Sequence, residues 1–569
     1  MCSSWLAHSR ARPGGRRRRR MKVMDQLRRV PISAMKGVIY AAVLSMVFAW
    51  TEATTRPRGP GGPMPAANLP EDCNTLERCC MPKPYTGTPG IRQFEYEPNL
   101  PIRVRRPAHL LTKKEIARLE KGYKLMRALP DTDPRSLLNQ MNLHCLYCDN
   151  GLYFKGADYP LEVHNGWFFL PWHRMFLYFH ERILGELLGD DTFALPYWNW
   201  DNPEATEPLP NAIPSFYWNP NSSLYDPNRN ICSRPPFIVD LDSIGGCTNK
   251  TADFLRVQNT RLQYTQMVLG GDTPALFYGM PYRLGDFGGG GPGTFEDQPH
   301  GTIHAWVGDP NAEAPFRPFD DMGNFGRSAF DPVFYAHHAN VDRLWCLWTH
   351  LRGGKRTYPM DSDFVTSQFS FYDHKGNLVK MNVSQTLDTD LLRYKFEDSP
   401  TPWETNGVAA GNEFNIPRCN PASKSAVNRL IAATPKHSSK DILDITPLTF
   451  KVRRPARSSV GTEVLEISGL QIPNITLQAH WKAFLFFPQV NFTHGAICPE
   501  FVGTYNFIPH VGQAKYNPKR VWRVAVGPKL KALGLDHVKS VIVTLVQPPG
   551  PWLQDIKFTK AKILYDTSG

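Results

Sequence analysis

Asp331-Pro332-Val333-Phe334-Tyr335-Ala336-His337-His338-Ala339-Asn340-Val341-Asp342-Arg343-Leu344-Trp345 reads as the opening of a helix that carries a metal ligand. Asp331 is suited to cap the first turn, and Pro332 to the first helical position, where no amide donor is needed. His338, Val341, Asp342 and Trp345 then recur at helical spacings and share one side. His337 is rotated away by about 100°. One imidazole of the adjacent pair therefore faces a common centre, and the reading takes His338. Alone, the stretch reads equally well as a buried aromatic helix with two ordinary histidines.

The other histidines shift that balance. His300 and His304 are four apart on a helix that begins near Pro299 and runs to Val307, so both rings point one way and can share an ion with His338. His144, His164 and His173 form a second trio, brought in from facing helices. Imidazole suits copper, zinc, iron and nickel. No carboxylate recurs at matching spacing in the two halves, which argues against a carboxylate-bridged di-iron site. Three nitrogens and an open position suit dioxygen at copper, whereas zinc with three histidines would activate water. Spacing leaves both open.

Around these residues the pattern is helical. Thr112 to Leu129 is amphipathic, with Thr112 and Glu115 placed for a capping box. Trp172 to Leu188 lies between Pro171 and Gly189, with His173, Phe176, His180 and Leu184 on one face. His180 reads as a core or supporting residue. Residues 191–282 give long loops rich in Pro, Asn, Trp and Tyr, and the glycine run at 286–293 lacks the lysine of a phosphate cradle. After Ile442 the pattern changes to short β runs: 448–452, 464–467, 481–487, 505–508, 521–526, 540–546 and 556–563. The expectation is a mainly α domain on a four-helix bundle with long loops, plus an all-β C-terminal sandwich.

Most of the net charge of +13 lies in residues 1–53, which hold eleven basic and two acidic side chains, so no nucleic-acid footprint covers the folded part. Residues 1–53 read as a targeting segment: Arg16–Arg20 and Arg28-Arg29 precede an apolar run, Val38 to Trp50, too short for a stable membrane span. With five Asn-x-Ser/Thr sites, at Asn221, Asn249, Asn382, Asn474 and Asn491, this favours the secretory route. Twin arginines before an apolar run also suit a thylakoid-lumen address. A Pro/Gly-rich linker occupies 54–72 and a polar, protease-accessible one 397–441; the domains between and after them span 73–396 and 442–569. Cys73, Cys79 and Cys80 read as disulfide partners, and Cys232 can close a loop with Cys247.

Two long motifs carry a family resemblance. His164-Asn-Gly-Trp-Phe-Phe-Leu-Pro-Trp-His173-Arg174, with Glu181, resembles the first copper signature of tyrosinases and plant polyphenol oxidases, and Asp331-Pro-x-Phe-Tyr-x-His-His338-x-x-x-Asp342 resembles the second. The resemblance implies two copper ions, held by His144, His164, His173 and by His300, His304, His338, with dioxygen as co-substrate and small phenols as substrates. It further implies a Cys148–His164 thioether, Cys73–Cys80 and Cys79–Cys145 disulfides, Glu296 positioning a water that takes the phenol proton, and Phe325 as a gate over the second copper. Tyr394-Lys-Phe396 resembles the motif closing the plant catalytic domain. Glu500-Phe-Val-Gly-Thr-Tyr505 resembles part of the domain that shields the entrance in latent enzymes.

The chain departs from the pattern at Gly301, where forms active on monophenols often carry Asn, and at Phe330, where a basic residue is usual. The reading is a latent catechol oxidase that turns o-diphenols into o-quinones. The alternatives are a haemocyanin-like dioxygen carrier, a tyrosinase with strong monophenol hydroxylation, and a zinc hydrolase. Oligomeric state is not legible.

Overall fold

The computed structural model describes residues 61–568 apart from 74–78, 85–89, 155–159, 287–289, 355–357, 406–418, 421–422, 437–441, 444–446, 511–516 and 550–553. The targeting segment and His437 lie outside the described residues, as does much of the polar linker.

Five helices frame the first domain. Helix α1 (Lys113–Arg127) opens with the capping box: Thr112 accepts from the Glu115 amide, and the Glu115 carboxylate accepts from the Thr112 amide at 2.7 Å. Helix α2 is Leu137–Cys148, capped by Ser136. Helix α3 is Phe169–Leu188 and starts three residues earlier than the sequence indicates, because Pro171 falls inside the first turn, where its missing amide costs nothing. It stops at Gly189 with φ 65, a left-handed residue. Short helix α4 (Thr302–Val307) follows a wider turn over Glu296–Gly301, in which Gln298 leaves helical geometry. Helix α5 (Val333–Gly354) is capped by Asp331, whose carboxylate accepts from the Val333 amide at 2.8 Å and is fixed by a buried ion pair with Arg229.

A buried charge network straps the bundle. Strand β1 (Arg103–Arg105) pairs in parallel with β2 (Tyr394–Phe396). Arg103 and Arg105 of β1 both donate to Glu181 on α3. Asp342 on α5 accepts from Arg105 at 2.8 Å, Arg174 at 2.5 Å and the Tyr394 hydroxyl at 2.6 Å. The Arg174 guanidinium also lies 3.6 Å over the Trp345 ring. Asp342 is the carboxylate paired with Arg174, and it shares Arg105 with Glu181. Asp342→Asn strands the buried Arg174 and is expected to destabilise the folded chain by roughly 3–5 kcal/mol, read as a lowered thermal midpoint; a midpoint within a degree or so of the parent would contradict this.

The second domain is a two-sheet β structure. Strands β3 (Leu448–Arg453), β5 (Ala479–Leu485), β6 (Phe501–Phe507) and β8 (Ser540–Val546) form one sheet in the order β6-β5-β8-β3; β4 (Thr462–Leu470), β7 (Arg520–Ala525) and β9 (Lys560–Asp566) form the other, with β4 central. Alternate side chains fill the space between, including Trp481 stacked on Tyr505 at 4.3 Å. Helix α6 (Lys424–Ala433) buries Val427 in this same core. Just before it, Cys419 is joined to Cys498 by a disulfide, and the Cys419 and Asn420 amides donate to the fully buried Glu500. Further disulfides join Cys73 with Cys80, Cys79 with Cys145 and Cys232 with Cys247.

The β domain seats directly on the helical one. Lys482 of β5 forms a buried ion pair with Asp242 at 2.7 Å and takes two further carbonyl acceptors, Phe492 and His494. Arg261 donates to the Ile497 carbonyl and Thr462 to Asp272. Among the described residues no helix is long and apolar enough to cross a membrane.

Candidate metal centre

Helices α2, α3, α4 and α5 and the loop at His164 deliver seven imidazoles to one buried space. His144, His164 and His173, together with Cys148, form one group whose ligand atoms all lie within 4.8 Å; His300, His304, His337 and His338 form another. The groups adjoin: the His173 and His338 rings stack at 4.3 Å, and His164 lies over His300 at 5.9 Å.

The hydrogen bonds at the far side of each ring decide which nitrogen faces inward. The Nδ1 atoms of His144, His173, His300 and His304 meet the carbonyls of Phe325, Phe169, Glu296 and Met322 at 2.9, 2.8, 3.0 and 2.6 Å. A carbonyl only accepts, so each of these Nδ1 atoms carries the proton and each Nε2 keeps its lone pair. His164 is held in the same sense by the Glu162 carboxylate at 3.0 Å. The Nε2 atoms of His144, His164, His173 and His300 are buried with no hydrogen-bond partner, and those of His304 and His338 converge to 3.3 Å. Burial holds every one of these imidazoles below its ordinary pKa, His304 down to about 3, so they stay neutral. Neutral, inward-facing lone pairs without protein partners fit a pair of cations, and an all-imidazole donor set fits copper.

His337 escapes the helical-wheel argument. Its ring stacks on His300 at 5.4 Å and lies 5.1 Å from His304, so both members of the adjacent pair reach the second group. A backbone rotation of about 100° still lets two long imidazoles converge where the neighbouring ring comes from another helix. The two differ in their surroundings: His338 sits against His173 of the other trio, whereas His337 packs toward Trp200 at 5.9 Å. His180 lies outside both groups, bonded to Tyr123 and Gln140 and stacked on Tyr335 at 3.5 Å.

Phe325 lies flat over His164, ring centres 4.1 Å apart. Glu296 accepts from the Asn165 amide at 2.6 Å through one oxygen, and the other has no partner; burial pushes its carboxyl pKa up, a shift that nearby metal charge would oppose. Cys148 is a buried thiol in the first histidine group.

The β domain closes this site. The space left between it and the histidines is about 20 Å³, walled by His164, Glu296, Asp297, His300 and Phe325 below and by Asn506, Phe507 and His510 above. His510 meets Glu162 at 3.3 Å and packs its ring on Phe325 at 5.1 Å. The Asn506 amide reaches the Cα of Gly301 so closely that a Cβ there would meet it at 2.6 Å. Sequence reasoning did not find His337, Glu162 or His510. The His510 signal is the Ile508-Pro509-His510 segment after β6, which only the docked geometry connects to the metal site.

Comparison with known proteins agrees with this construction. Residues 134–351 match the common central domain of tyrosinase, 359–408 the polyphenol oxidase middle domain and 442–565 the chloroplastic polyphenol oxidase C-terminal domain. The chain is 36% identical over 521 residues to a chloroplastic polyphenol oxidase of Vitis vinifera, covering 87% of this chain and 82% of that one. It is 36% identical to the aureusidin synthase of Antirrhinum majus over 82% of each. Among solved structures, latent apple tyrosinase superimposes with a TM-score of 0.72 at 32% identity, over 84% of this chain and 100% of that one. Latent aurone synthase gives 0.74 at 30% identity, over 88% and 99%. These matches set aside the carrier and zinc-hydrolase readings, and their extent over both domains shows that the chain belongs to the plant polyphenol oxidase family, copper enzymes of tyrosinase type with a C-terminal shielding domain.

Proposed function

We propose that the chain oxidises o-diphenols to o-quinones at a copper pair, with His144, His164 and His173 holding one ion and His300, His304 and His338 the other. The observation that carries this is the convergence of buried Nε2 atoms, four of them without a partner and those of His304 and His338 meeting at 3.3 Å, with the far nitrogens of His144, His173, His300 and His304 fixed by backbone carbonyls. Copper bound there supplies the redox couple that takes two electrons from the diphenol and passes them to dioxygen. The chain supplies the rest. Phe325 over His164 gives a flat apolar wall against which an aromatic ring packs. Glu296, with one oxygen held by Asn165 and the other free, is placed to hold a water and accept a phenolic proton. Gly301 contributes no side chain to orient that water, which favours diphenols over monophenols. Burial of the whole floor keeps solvent from the reacting atoms. Side-by-side initial rates on a catechol and a tyrosine-like monophenol test the preference; faster monophenol turnover would reverse it.

Several relatives, including those of Vitis vinifera and Prunus armeniaca, are named as chloroplastic. Together with the twin arginines before the apolar run of the leader, these names support a plastid address, and we propose the thylakoid lumen over the secretory route.

Latency has a covalent component. Because Cys419 is tied to Cys498, a cut introduced between Thr434 and Ile442 leaves the β domain linked to the catalytic domain, and its effective concentration stays in the millimolar range. A cut between Thr405 and Cys419 leaves no such link. The expected result is that the first product runs as one species on a non-reducing gel and needs a dithiol for full activation, while the second does not. Equal activation of both without reductant would contradict the tether.

A further inference from the structure

Beside Glu296 lies a second carboxylate that the mechanism above does not use. Asp297 is 3% exposed and lines the small space under the β domain, and its Oδ2 has no hydrogen-bond partner. From the β domain, the backbone N–H of Asn506 on β6 faces its carboxyl group. In the closed form burial first, and then the neighbouring Glu296, push its carboxyl pKa up; opening the mouth to water removes the burial and favours the carboxylate. When the β domain leaves, Asp297 loses the Asn506 donor and stands open at the place that donor occupied.

A bound catechol must turn its two oxygens down toward the histidine floor. The substituent on the opposite edge of its ring then points up, into the mouth that Asn506, Phe507 and His510 now fill. We propose that Asp297 is a specificity residue that receives a protonated amine on that substituent, so that the enzyme favours catechols bearing an aminoalkyl chain over neutral ones and disfavours those bearing a carboxylate. The Asn506 N–H marks where the ammonium donor sits. A buried carboxylate with an unfilled acceptor position discriminates strongly, because a substrate lacking the donor leaves it unpaired. This inference rests on the diphenol-oxidation reading.

The test uses copper-loaded enzyme freed of its β domain and four probes: 4-(2-aminoethyl)catechol, its N-acetyl derivative, 4-methylcatechol and 3,4-dihydroxyphenylacetate. For the parent enzyme, kcat/KM for the amine should exceed that for the N-acetyl derivative by about tenfold, with the carboxylate lowest. Asp297→Asn should erase that preference chiefly through KM, and Asp297→Glu should restore part of it. Equal kcat/KM for the amine and its N-acetyl derivative in the parent enzyme would overturn the proposal without any variant having to fold. So would an Asp297→Asn enzyme that keeps the amine-to-methyl ratio. If the parent oxidises none of the four, it is the diphenol reading that fails.

Discussion

His304→Ala abolishes diphenol oxidation and removes one copper from the chain. His304 sits on α4 with its Nδ1 held by the Met322 carbonyl at 2.6 Å and its Nε2 aimed at His338. The substitution deletes one of three nitrogens from the second group and leaves a hole where no other side chain is positioned by a carbonyl in the same way. Losing even an outer partner of a metal ligand costs roughly 10- to 100-fold, so losing the ligand itself should exceed about a hundredfold in kcat. Copper content should fall from two ions per chain toward one while the fold persists, since none of the hydrogen bonds of the strap through Asp342 and Glu181 involves His304. A variant that retains two coppers and full activity would hand the third ligand position to His337, whose ring lies 5.4 Å from His300 against 4.6 Å for His304.

Removing the β domain should raise catechol oxidation by about a hundredfold, which corresponds to only about 2.8 kcal/mol of docking free energy. The contacts that hold it are of a size to supply this: the buried Lys482–Asp242 pair, the His510–Glu162 contact and the apolar seating of Phe507 over the site. The closed space of about 20 Å³ has room for about one water and none for a phenol. Substrate therefore meets the metals only in the undocked state, and measured activity scales with the population of that state. Full activity in the intact, uncut chain would show that the docked geometry is not what prevails in solution.

Much of this was legible in the residues. The capping box at Thr112 and Glu115, the stop at Gly189 and six of the seven β runs follow local rules that the packed protein did not override, whereas the run at 556–563 divides into Ile556–Lys557 and Lys560–Asp566, which join different sheets. The helix at Phe169 began early because proline is harmless in a first turn, and the one expected near Pro299 starts there because Gln298 just before it is extended, as a residue preceding proline prefers. The two histidine groups were readable as groups because ligands must recur at spacings that put rings on one face. What the sequence withheld depends on distance in space. His337 joins the second group because α4 approaches α5 from the side that a helical wheel treats as away. Glu162, His510 and the Cys419–Cys498 bond tie segments far apart in the chain, and no local pattern marks them. Helix α6 looked like linker because its one buried residue, Val427, acquires a core only from the sheet it covers.

The most direct test is metal content and dioxygen stoichiometry measured together on chain freed of its β domain. The account expects two copper ions per chain and catechol-dependent oxygen uptake in which two diphenols are consumed for each dioxygen reduced to water. Zinc in place of copper, or copper that binds dioxygen reversibly while catechol remains unconsumed, would contradict it.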